Sequence, residues 1–74
     1  MNAIFSEVTG RRYLPEDCVY FKNAKQSASY IAWGAVLVDL MVTEDKDRDG
    51  KTLVFVFSKE DHNKYKSKWN NHEK

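Results

Sequence analysis

The sequence predicts a small α+β domain, and three features predict it. Cys18–Phe21 and Thr52–Phe57 are rich in aromatic and β-branched residues and read as strands. Ala35–Val42 is nearly continuous apolar sequence of strand length. Two further segments carry helix caps and apolar residues spaced by three and four. The order is β-α-β-β-α. A right-handed crossover from the first strand to the second leaves the third strand between them. The expected architecture is a two-layer sandwich, a three-stranded mixed sheet with two helices on one face. A hairpin at the N-terminus would extend that sheet.

The 74 residues make one domain. Residues 1–17 form either a loose arm or a short hairpin in front of a single unit at 18–74. Ile4, Phe5 and Val8 give a weak strand signal, Thr9-Gly10 a turn, and Arg11–Leu14 a return. Pro15 ends regular structure there.

After the strand at Cys18, Asn23 caps a helix, with Gln26 three residues on as its reciprocal partner. Gly34 supplies the left-handed residue that closes it. Ala24, Ala28 and Ile31 share one face, with Ser27 and Ala35 beside it, and that face is expected against the sheet. Trp33 then points the opposite way, together with Tyr30 and Gln26. In the next strand Val36, Val38, Leu40 and Val42 lie on one side. Leu37, Asp39 and Met41 lie on the other, which Asp39 marks as the wetter one. Thr43–Lys51 is a polar connection ending in the turn signal Asp49-Gly50. Thr52–Phe57 is apolar on both sides, as a central strand is. Ser58 caps the last helix, with Asp61 as its reciprocal partner, and His62, Tyr65, Trp69 and His72 form its inward stripe.

Composition excludes several function classes. The net charge of +1 provides no global field for nucleic acid or membrane. One cysteine, Cys18, allows no internal disulfide, which fits a reducing, cytoplasmic setting. Asn2–Leu14 lacks the apolar run of a signal peptide, and Tyr30–Val42 is too short to span a bilayer.

Ala28-Ser29-Tyr30-Ile31-Ala32-Trp33-Gly34 and Leu53-Val54-Phe55-Val56-Phe57, in this layout, resemble a family of small uncharacterised proteins from phages and bacteria. The resemblance covers roughly residues 18–69. The chain departs from the pattern at Ala35, where a larger apolar residue is usual, and at Trp33, where a polar one is usual. The resemblance implies a compact fold and a mobile-element origin. It carries no established activity, so it transfers no functional residues.

No arrangement for catalysis is readable, and no cofactor is expected. Asp45, Asp47 and Asp49 followed by Gly50 match the start of a calcium loop. The bidentate Glu expected at the twelfth position falls on Val56, and Lys46, Arg48 and Lys51 weaken the field, so a solvated hairpin loop is the better reading. His62 and His72 are ten residues apart, about 15 Å along a helix, too far to share one ion. Cys18 has no base beside it and reads as an inert buried thiol. No metal site is expected.

Two surfaces remain. Trp33 and Tyr30 on the outer face of the first helix, with the acidic loop of Asp45, Asp47 and Asp49, suit a protein partner. Folding of the N-terminal arm over Trp33, through Phe5 or Leu14, is the alternative. Lys59, Lys64, Lys66 and Lys68, interleaved with Tyr65 and Trp69, suit nucleic acid. The sheet face away from the helices also needs a cover, either the arm or a second copy in a homodimer. The leading expectation is a non-enzymatic interaction protein, phage-encoded and acting on a host complex, for example as a defence inhibitor. The alternative is a small nucleic-acid-binding module built on the last helix.

Overall fold

A computed structural model describes residues 2–45 and 50–73. The chain opens with a hairpin of two very short strands, β1 (Ile4–Phe5) and β2 (Arg12–Tyr13), followed by a 3-10 turn at Pro15–Asp17. Then come β3 (Cys18–Phe21), α1 (Ala24–Trp33), β4 (Asp39–Asp45), β5 (Gly50–Ser58) and α2 (Lys59–Glu73).

The sheet order is β3-β5-β4, so the apolar strand is central as its composition requires. The expectation of a mixed sheet is corrected. β3 and β4 share a direction, but each pairs with β5, antiparallel, and not with the other. The N-terminal hairpin forms a separate two-stranded sheet, with Ile4 opposite Tyr13, and does not extend the main one.

Local chemistry sets the ends of α1. The Asn23 side chain accepts from the Gln26 backbone N–H at 3.1 Å. The Gln26 side chain does not return to the cap; its Nε2 donates to the Tyr30 hydroxyl. At the other end Gly34 adopts φ 116°, its N–H reaches the Ile31 carbonyl, and the Ala35 N–H reaches that of Tyr30. This is a Schellman closure, available to Gly because it lacks the Cβ penalty at positive φ. A Cβ there would also stand 3.0 Å from the Tyr65 hydroxyl.

β4 begins four residues later than its apolar run suggests and continues through Thr43–Asp45. Between residues 35 and 38 the Val38 N–H reaches β5, at the Val56 carbonyl 2.8 Å away, while other backbone groups bond elsewhere. Ala35 N–H closes α1, and Val36 N–H donates to Asp61 Oδ2 at 3.0 Å. The Val38 carbonyl accepts from the Thr9 hydroxyl at 2.7 Å. The polar end of β4 pairs instead, from Thr43 opposite Thr52 to Asp45 opposite Gly50. The partner strand, not hydrophobicity, fixes these limits.

Alternation along β5 sends Phe55 and Phe57 to one face and Val54 and Val56 to the other. Phe57 joins Tyr30, Ala35 and Trp69 in a core that Val19, Phe21, Leu37 and Tyr65 complete. Val56 joins Tyr13 and Cys18 in a second cluster, with Val38 and Met41 against it. The hairpin therefore covers the face that the sequence left open between an arm and a second copy.

Two assignments of faces are inverted. In α1, Tyr30 and Ser27 are buried while Ala24, Ala28 and Ile31 are exposed. Tyr30 carries far more apolar area than the alanines, and its hydroxyl has partners inside, so the aromatic side docks. In β4, Asp39 is only 6% exposed while Val42 is 61% exposed. The Asp39 side is the covered one because its carboxylate is fully hydrogen-bonded there.

Candidate interaction surface

Tyr30 sits at the centre of the aromatic core, with ring centroids of Phe21, Phe57, Tyr65 and Trp33 between 5.6 and 6.3 Å away. Its hydroxyl lies 3.0 Å from His62 Nδ1. Burial, and the Lys66 ammonium secondarily, hold the His62 pKa below its ordinary value. Tyr30 is thus part of the core and not of an outer face. Trp33 is half-buried, against Tyr65 at 6.3 Å, with Lys68 Nζ 4.6 Å from its ring centroid. The N-terminal arm lies on the other side of the sheet and does not cover it.

The four lysines of α2 are exposed. Lys64 Nζ lies 5.5 Å from the Tyr65 ring centroid, and Lys68 lies on Trp33. Lys66 neighbours His62, and Lys59 neighbours Cys18. The rings between them turn inward. Trp69 is buried and Tyr65 half-buried, which removes the base-stacking platform from that surface. Asp47 and Asp49 lie outside the described residues. Of Asp45 only the backbone, paired with Gly50, is described.

Under the hairpin, Asp39 accepts from the Tyr13 hydroxyl and from the Leu40 N–H at 2.8 Å, and the Ser6 hydroxyl also bonds to it. Burial pushes the Asp39 carboxyl up, but these donors outweigh it and hold the group below the usual range. Burial first, and the Asp39 bond second, push the Tyr13 phenol upward. Burial, and Asp17 secondarily, also raise the pKa of the buried Cys18 thiol. Every buried side-chain nitrogen and oxygen among the described residues has a partner. Among them no group of three His, Cys, Asp or Glu is placed to hold a metal ion.

A groove of about 690 Å³ lies where β3 passes into α1. Leu53 and Phe55 floor it; Lys22, Asn23, Ala24 and Thr52 rim it. Leu53 is 44% exposed although it lies in the central strand. It pairs with the exposed Val42 of β4, and the exposed side of α1 runs on from Ala24 through Ala28 to Ile31. Sequence reasoning missed this surface because Leu53 stands in an all-apolar strand that reads as buried on both faces. The available signal was the unequal length of the elements. β5 has nine residues and β3 four, so one end of β5 outruns its neighbour.

No family model, no curated protein and no solved structure matches this chain. No helix among the described residues is long and apolar enough to cross a membrane.

Proposed function

We propose that this chain is a non-enzymatic protein-interaction module that receives an apolar side chain of a partner in the groove floored by Leu53 and Phe55. The observation that carries this is Leu53, a large apolar residue left in solvent in the middle strand of a small sheet. Interface anchors sit in such pockets, ringed by residues that exclude water. Ala24 lines the groove beside the anchor, and Ala28 and Ile31 are exposed further along the same helix. The first turn of α1 walls the groove through Ala24. The nucleic-acid reading ranks below it, because the rings that would stack bases are in the core. The resemblance to phage proteins directs the search for a partner to host complexes.

The test uses tagged wild-type chain and Leu53→Lys, each crosslinked in a host lysate and captured. Val8→Lys, at the tip of the hairpin, is the control. A partner captured by wild type and Val8→Lys, and reduced about tenfold or more with Leu53→Lys, fits an anchor of this kind. Equal capture by all three rejects the groove. A wild-type chain that recovers only itself rejects the interaction role.

A further inference from the structure

The N-terminal hairpin meets the rest of the molecule differently from the other elements. It shares no ladder with the main sheet. Its strands are two residues long, and a two-stranded hairpin is at best marginally stable alone. A few side chains hold it down. Tyr13 and Ser6 donate to Asp39, and the Thr9 hydroxyl donates to the Val38 carbonyl. Phe5 and Val8 face solvent instead of the sheet. Little apolar area commits the hairpin to its place.

What lies beneath is self-sufficient. β5 keeps both ladder partners without the hairpin. The aromatic core is on the opposite face. Leu40 N–H still bonds Asp39 when the hairpin leaves, and water can hydrate the freed carboxylate. The connection through the turn at Pro15–Asp17 contains no buried residue and can act as the pivot.

We propose that the N-terminal hairpin is a strap, latched by the Tyr13–Asp39 contact, that opens and closes over the Cys18–Val56 face while the main sheet and both helices stay folded. Opening gives up the burial of Tyr13 and Ser6 and a handful of hydrogen bonds, and it uncovers Val56 and Cys18. Such local openings have free energies well below that of global unfolding. Cys18 reports the event. It packs against Tyr13 in the closed form, and its thiol is reachable when the strap lifts.

The experiment measures the labelling rate of Cys18 by a thiol-reactive disulfide reagent in the full chain, over urea concentrations far below the unfolding midpoint. A local opening labels at a rate nearly independent of urea, because the slope follows the surface exposed. Tyr13→Phe removes one latch bond, and labelling quickens about tenfold, while the urea midpoint seen by far-ultraviolet circular dichroism moves little. Labelling that rises in both proteins with the full slope of global unfolding overturns the strap and makes the hairpin an integral part of the fold. Should Tyr13→Phe fail to fold, the urea dependence of the wild type decides alone.

Discussion

The two faces of the main sheet take alternate residues from one strand, yet they are closed by different means. Toward the helices, Phe55 and Phe57 meet rings from α1 and α2. Each aromatic pair adds about 0.5–1.5 kcal/mol beyond its buried area. Toward the hairpin, Val56 packs with Tyr13 and Cys18 beside the hydrogen-bonded Asp39 carboxylate. Helices of ten and fifteen residues bring enough surface to close a face by area. A hairpin with two-residue strands does not, and a directional polar contact sets its position instead. The difference separates strength from placement. One face supplies most of the stability, and the other fixes where a light cover sits.

The largest expected effect breaks the strong side. Phe57→Ala removes a ring with no solvent exposure, and such truncations cost about 3–5 kcal/mol. A small domain has little more than about 5 kcal/mol in total. The variant is therefore expected to be largely unfolded at 37 °C, as urea titration followed by circular dichroism will show. A loss under about 1 kcal/mol would mean that the helical face is loosely packed and that the contrast between faces is wrong.

The legible parts of this fold are those that local chemistry decides. Asn23, Gly34 and Ser58 act within three residues of themselves, and each caps where the sequence places it; Ser58 Oγ accepts from the Asp61 N–H at 3.1 Å. The stripe of His62, Tyr65 and Trp69 was legible for the same reason, and the side chain of His72, its fourth member, lies outside the described residues. The face of α1 was not, because two sets satisfy helical spacing. Ala24, Ala28 and Ile31 compete with Gln26, Tyr30 and Trp33, and periodicity alone does not rank them. What ranks them is ring area plus an internal partner for the Tyr30 hydroxyl, supplied by His62 from 32 residues away. Asp39 was visible as a polar residue in an apolar strand, but its donor Tyr13 is 26 residues distant. Asp61 was expected to serve the cap of α2 and instead holds Val36. The groove escaped because burial in a strand depends on how far its neighbours and the helices extend.

A middle-sized effect concerns pH and sharpens the description of the helical face. His62 lies among Tyr30 of α1, Phe21 of β3 and Lys66 of its own helix. Its pKa is lowered in the folded state, first by desolvation and then by Lys66. The unfolded chain therefore takes up the proton first as pH falls. Stability is at its full value above the ordinary imidazole pKa of about 6.5. It declines as pH drops below that value and levels off once the folded imidazole also protonates. Urea midpoints measured from pH 7.5 to 5 are expected to fall for the wild type. With His62→Gln the slope in that window should flatten. An unchanged slope would assign the dependence to other groups and leave His62 a bystander at the rim of the core.

The smallest expected effect lies at the edge of that same face. Lys68 Nζ stands 4.6 Å from the Trp33 ring centroid, a contact worth about 0.5–1 kcal/mol where solvent has access. Lys68→Met keeps most of the apolar stem and removes the charge, so it isolates the ring–cation contribution from packing. A loss of that size in urea, shrinking in wild type as salt is added, would show that the chain itself closes over Trp33. Acrylamide quenching gives an independent reading, because Trp69 is buried and Trp33 dominates the accessible fluorescence. Increased quenching in Lys68→Met identifies the lysine as the cover. If neither stability nor quenching changes, Lys68 is not the cover, and the contacts with Tyr30 and Tyr65 account for the partial burial of the ring. Trp33 would then rejoin the surface available to a partner, and the helical face would do more than hold the fold together.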